Sequence, residues 1–143
     1  MVPIKLLLHI NTSAEAVFEA LSSIDHLKQW YTTDIEGKTS LDDAMTFKFG
    51  TMGYTVQITQ LVAGKVVEWT VKEADMPILN HVFKFELEAL EGKTKIRFAH
   101  EGFEAQDDMH ANLTFSWGKY LESLRQHCQK GAGEAFGSDS YRI

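Results

Sequence analysis

A chain of 143 residues with 44% hydrophobic and 24% charged content has the size and balance of one globular domain, long enough to bury about two thirds of the surface its unfolded form exposes. Its formal charge of -6, with Lys and Arg scattered along the chain, argues against a nucleic acid partner and against a polybasic membrane-surface patch. The single Cys128 permits neither an internal disulfide nor a cysteine-based zinc site, which points to a reducing compartment, the cytoplasm by default.

The first ten residues, MVPIKLLLHI, contain an apolar run too short for a signal peptide or a membrane span, and read as a strand. Thr12-Ser-Ala-Glu15 has the pattern of a capping box. A short helix is expected from there, with Ala14, Val17, Phe18 and Leu21 at helical spacing. A second, around Ile24 to Trp30, turns Leu27 and Trp30 inward. Thr32 to Lys38 reads as irregular or weakly extended.

From residue 44 the apolar period changes to two. Met45, Phe47 and Phe49 share one face, as do Tyr54, Val56 and Ile58 beyond a Gly50 to Gly53 turn. A two-residue turn at Ala63-Gly64 pairs Val62 with Lys65, which sets Ile58 opposite Trp69 and Val56 opposite Val71. Pro77 interrupts the next segment. A strand from His81 to Leu90 then turns at Glu91-Gly92 into another from Lys93 to His100. The implied pairs are Leu87 with Ile96, Phe85 with Phe98, and Phe83 with His100, so His100 is the polar member of an apolar face. Lys84, Glu86, Glu88, Lys95 and Arg97 alternate outward, as in an antiparallel sheet wet on one side.

The other side of that sheet needs a cover, and a long helix from about Asp107 to Gly131 supplies it. Met109, Leu113, Trp117, Tyr120, Leu121, Leu124 and Cys128 form its apolar stripe, and Asp107 and Asp108 suit its N-terminal end. Gly131 and Gly133 stop it. Residues 1–131 therefore read as the domain. Residues 132–143 read as a flexible tail, loosely held unless Phe136, Tyr141 or Ile143 dock.

The order of strand, two short helices, antiparallel meander and long C-terminal helix resembles the helix-grip fold of the START-like (SRPBCC) superfamily. Within it, the stretch from Ile10 to Leu21 with His26-Leu-Lys-Gln-Trp30, Val67-Glu-Trp69, Gly92-Lys-Thr94, His100-Glu-Gly-Phe103 and Ser116 to Leu124 resembles the Hsp90 ATPase activator homologue family over about residues 4 to 130. That family commonly has Gly before the helix Trp, where this chain has Ser116. The resemblance implies an α+β, Bet v 1-like fold, with a curved antiparallel sheet wrapped around the C-terminal helix.

The six histidines show neither HExxH nor an i, i+4 pair on a helix, so no metal ligands are assigned. No GxSxG elbow or phosphate-cradling glycine loop is present, no cofactor is implied, and no catalytic residue is assigned. His100 fits a hydrogen-bonded core histidine, paired with Tyr120, Tyr54 or backbone, or else a group that orients a ligand oxygen. The aromatic set has two uses, core filling and the lining of a cavity. If a cavity exists, its expected lining is Trp30, Phe47, Phe49, Tyr54, Trp69, Phe83, Phe85, Phe98, His100, Phe103, Trp117, Tyr120 and Leu121.

Three functional readings follow. The first is a non-enzymatic domain that binds a hydrophobic small molecule between sheet and helix, with His100 and Tyr120 as polar anchors. The second, implied by the resemblance, is an interaction protein engaging an Hsp90-type chaperone through exposed charge such as Lys28, Asp34, Glu36, Asp42 and Asp43. The third is a cyclase, dehydratase or hydrolase with His100 as its one credible base. The sequence leaves oligomeric state open.

Overall fold

The computed structural model describes residues 1–142. The chain runs β1 (Ile4–Ile10), α1 (Ala14–Ser22), α2 (Ile24–Trp30), β2 (Asp34–Gly37), β3 (Ala44–Phe49), β4 (Met52–Val62), β5 (Val66–Ala74), β6 (Val82–Leu90), β7 (Lys93–Glu101) and α3 (Asp108–Lys130). The strands form one antiparallel sheet in the order β1-β7-β6-β5-β4-β3-β2. This is the α+β helix-grip architecture, with the three helices on the inward face of the sheet.

The β6–β7 register is the one the apolar phase dictates: Leu90↔Lys93, Leu87↔Ile96, Phe85↔Phe98 and Phe83↔His100. The inward members of both strands are buried, because slipping an antiparallel pair by one residue would turn that whole set to solvent. Ile58 lies opposite Trp69 and Val56 opposite Val71, also as expected. The route to that register differs. The β4–β5 turn holds three residues rather than two, so Val62 pairs with Val66 instead of Lys65. A bulge at Thr59 then absorbs the extra residue and restores the phase. Thr59 Oγ1 fixes the bulge by donating to Glu68 Oε1 at 2.7 Å.

Three further features concern the flanks. The helix α1 is capped by Ser13, whose Oγ accepts from Ala16 N at 3.2 Å, and not by Thr12. Thr12 is tied back to the sheet, its carbonyl accepting from Thr94 Oγ1 at 2.9 Å, so the next hydroxyl along serves the helix. The segment after α2 contains a true edge strand, β2, paired with β3 from Asp34↔Lys48 to Gly37↔Met45.

The segment after α3 is docked over its described residues. Phe136 N donates to Tyr31 O and Thr33 N to Phe136 O, each at 3.0 Å. Ala135 is fully buried. Ser123 Oγ donates to Trp30 O at 2.8 Å and accepts from Glu134 N at 2.7 Å, joining α3, the end of α2 and the tail. Gly133 makes this approach possible: a Cβ there would lie 2.5 Å from Gln29 O. Ile143 lies outside the described residues.

α3 begins and ends as its sequence requires. The Asp107 carboxylate accepts from His110 N at 3.0 Å, and Gly131 closes the helix in the left-handed conformation with φ 76°. Trp117, Leu121 and Leu124 reach the core, where each such side chain contributes about 1.5–3 kcal/mol on burial.

Candidate functional site

The inward face does not close completely on itself. A cavity of about 320 Å³ remains between the β3–β4 end of the sheet, the β5–β6 loop, α3 and the docked C-terminal segment. Its lining includes Tyr31, Tyr54, Tyr120 and Tyr141, which are all four tyrosines of the chain. No lining side chain carries a formal charge; Asn112, Ser116 and His100 supply the other polar groups. A wider groove of about 590 Å³ runs along the outer side of α3, walled by Lys119, Glu122, Glu134 and Arg142. It shares Tyr120 and Tyr141 with the cavity.

Of the residues the sequence nominates, Phe49, Tyr54, Phe83, His100, Trp117 and Tyr120 line the cavity. Trp30, Phe47, Trp69, Phe85, Phe98, Phe103 and Leu121 do not; they are buried in the core around it. The division follows position in the sheet. Phe85 and Phe98 face each other at 5.0 Å, and Phe98 packs on Trp117 with ring centroids 4.4 Å apart. Phe49, Tyr54 and Phe83 belong to the end of the sheet that borders the cavity.

The structure also brings in residues that strand phase could not reveal. Tyr31, the C-cap of α2, stacks on Trp117 with ring centroids 5.6 Å apart and meets Phe47, Phe49 and Tyr120 edge-on at 5.1–5.2 Å. Its one sequence signal is the i, i+4 spacing from buried Leu27, which continues the α2 stripe past the helix end. Met76 and Ile78 come from the β5–β6 loop, and Phe136 and Tyr141 from the docked tail. Leu113, which the helical stripe contains, completes the wall.

The tyrosines are neutral donors and acceptors rather than bases. Tyr31 and Tyr54 share a hydrogen bond between their hydroxyls. Burial pushes both phenols well above the ordinary tyrosine range, and the Tyr31 value is raised further by Tyr54. Burial, with the nearby Tyr31 and Tyr141, does the same to Tyr120. A phenol held neutral keeps its proton for a ligand oxygen.

His100 is engaged on both ring nitrogens, but with neither tyrosine the sequence suggested. Trp117 Nε1 donates to His100 Nδ1 at 3.0 Å, and His100 Nε2 lies 2.9 Å from His81 Nδ1. Indole can only donate, so Nδ1 of His100 is the acceptor and its proton sits on Nε2, directed at His81. His81 then carries its own proton on Nε2. Protonating His100 would place two donors face to face. Burial, reinforced by His81 and His110, accordingly pushes its pKa down to about 3, and burial lowers His81 as well. His81 packs against Gly102, where φ is +128° and a Cβ would fall 2.5 Å from the imidazole ring. This is a structural relay between β7 and α3 in which both nitrogens of His100 are engaged.

Among the described residues no group of three or more His, Cys, Asp or Glu side chains is gathered as a metal site. Glu101 faces solvent. Cys128 is half-buried, its thiol pushed up to about 11 by burial, which suits packing rather than nucleophilic chemistry. No helix of the described residues is long and apolar enough to cross a membrane.

A curved sheet gripping a long helix over a partly open aromatic interior defines the START-like class of folds. The family model described as Activator of Hsp90 ATPase homolog 1-like protein matches residues 11–129, and the chain belongs to that family. It is 31% identical to a protein of Colwellia psychrerythraea, solved in solution as the Aha1 dimer, over 93% of this chain and 100% of that chain, with a TM-score of 0.86. The crystal structure of SSP2350 from Staphylococcus saprophyticus has a TM-score of 0.77 at 15% identity, covering 92% of this chain and 95% of that one. BH1534 from Bacillus halodurans, solved in solution, gives 0.73 at 20% identity over 90% and 98%. The last two likenesses concern the fold alone. No curated protein sequence matches significantly.

Proposed function

We propose that this protein is a non-enzymatic binding domain for an uncharged, hydrophobic small molecule held between the sheet and α3. The observation that carries the reading is the cavity of about 320 Å³ into which all four tyrosines converge and whose lining side chains carry no formal charge. Ligand pockets begin at about 300 Å³, and a 150 Å³ apolar cavity admits benzene, so the space suits about two rings. Stacked and edge-on aromatics supply the apolar walls. Tyr31, Tyr54 and Tyr120 supply hydroxyls for one or two ligand oxygens, in place of His100. An ionised carboxylate is disfavoured, since it would be desolvated with no cation among the lining side chains to pair it.

Thermal melts with a panel of naphthols, flavonoids, fatty acids and sterols test the reading, because a ligand selective for the native state raises Tm by mass action. At least one uncharged aromatic is expected to raise Tm and quench tryptophan fluorescence, through Trp117 on the cavity wall. No shift with any probe refutes it.

The family description favours a second reading, a chaperone-associated interaction protein. Asp34, Glu36 and Asp42 are exposed at and beside the β2 edge and provide an acidic surface for such contact. A rise in Hsp90 ATPase rate on adding the protein, with no response to any probe, would favour this reading over ligand carriage.

A further inference from the structure

The sheet has two edges, which differ in length, charge and cover. The β2 edge is four residues long, carries Asp34 and Glu36, and ends at Gly37. Just before it, Thr32 is bridged to Phe136. Short length, charge and cover are the usual means of keeping an edge from pairing. The opposite edge, β1, is neither short nor, among the described residues, paired on its outer side, and its one charged side chain is the cation Lys5. It runs seven residues from Ile4 to Ile10 in unbroken register with β7. Among the described residues no strand pairs with its far side. Leu7, at its centre, is 56% exposed. A groove of about 390 Å³ separates this edge from α3, with Gly118 on the helix side, where an added Cβ would meet nothing within 4 Å.

We propose that β1 is the contact surface for a second copy of this chain, the two β1 strands pairing antiparallel about a two-fold axis at Leu7. The sequence IKLLLHI is self-complementary in that register. Leu7 meets Leu7, Leu6 meets Leu8, Ile4 meets Ile10 and Lys5 meets His9. Residues opposite one another in an antiparallel pair share a face, so a shift by one would set inward residues against outward ones. A shift by two would set Leu7 against Lys5 or His9. Only the centred register buries Leu7 against its own copy while continuing the apolar inward row of Ile4, Leu6, Leu8 and Ile10 across the axis. Charge selects the same surface. Two chains of formal charge -6 repel, and β1 is a strand without a carboxylate, whereas the other edge presents two. Such an isologous contact closes on itself and satisfies the free backbone groups of both edges.

Sedimentation velocity and light scattering on the full chain at micromolar concentrations provide the first readout, with twice the chain mass expected. Leu7→Lys places two ammonium groups on the axis and should weaken the dimer about 100-fold or more. Because Leu7 is exposed, circular dichroism and Tm of the monomer should be retained. Leu7→Cys in a Cys128→Ser background gives the second readout. Cα atoms paired across an antiparallel axis lie about 4.5–5.5 Å apart, within disulfide reach, so copper-phenanthroline should convert this variant to a covalent dimer. Val62→Cys, equally accessible at 48% exposure, should remain largely monomeric in the same background. A monomeric wild type overturns the proposal, as does a dimer that Leu7→Lys leaves intact or a Leu7→Cys variant that cross-links no faster than the Val62→Cys control.

Discussion

Replacing Trp117 by Phe keeps a ring on α3 and removes one proton donor, which isolates the bond that holds His100. His100 is 1% exposed, and its Nδ1 accepts from Trp117 alone. In the variant this nitrogen becomes a buried acceptor without a donor, a loss of about 1–3 kcal/mol. The smaller ring leaves roughly 40 Å³ unfilled, and at about 24 cal/mol per Å³ this adds about 1 kcal/mol. Part of that space merges with the existing cavity, so the sum expected from urea unfolding is about 2–4 kcal/mol with an unchanged m value. The same variant should also alter the titration of His100. In the native chain the imidazole cannot take a proton on Nδ1 without opposing the indole N–H, and its pKa is pushed down to about 3. With Phe at 117 that site is free, so the His100 resonance should titrate at higher pH. A loss below about 1 kcal/mol with an unmoved titration would mean that the His81–His100–Trp117 relay does not form. Trp117→Ala should cost more, about 3–5 kcal/mol.

Stability should also depend on pH in a defined direction. His81, His100 and His127 all have folded-state pKa values lowered by burial, so their contribution is fully present above the ordinary histidine value near 6.5 and is lost as pH falls below it, for His100 down to about 3. Each adds a slope of up to about 1.4 kcal/mol per pH unit; a urea midpoint that stays flat between pH 6.5 and 4.5 would contradict the burial of these rings. Ser123→Ala strips partners from Trp30 O and Glu134 N together and should cost about 1–3 kcal/mol, read from denaturant melts. Gly133→Ala forces the tail away from the Gln29 carbonyl, so hydrogen exchange at the Phe136 and Thr33 amides should accelerate while the strands keep their protection. Tyr54→Phe removes one hydroxyl from the cavity and should weaken a naphthol by about tenfold in titration calorimetry, with little effect on naphthalene.

Much of this architecture is written in the alternation of the chain. Phe83, Phe85 and Leu87 against Ile96, Phe98 and His100 fix a register by themselves, because only one pairing keeps the whole set on one face. The stripe from Met109 to Cys128, bounded by Asp107 and Gly131, fixes α3 in the same way, since capping and periodicity are local. The β4–β5 pairing was legible for a different reason than the turn suggests: the three-residue loop and the Thr59 bulge offset one another, and burial of Ile58 and Trp69 decides the outcome. Only the tertiary structure decided which aromatics fill the core and which border open space. That depends on how side chains from α2, α3, the β5–β6 loop and the tail meet over the curved sheet, which has no counterpart in residue spacing. Tyr31 enters the cavity because α2 ends there, and Phe136 and Tyr141 enter because Gly133 lets the tail cross Gln29. His100 was legible as a buried histidine from strand phase alone. Its partners were not, for His81 precedes β6 and Trp117 lies on a helix, and long-range packing alone brings those two rings to its two nitrogens.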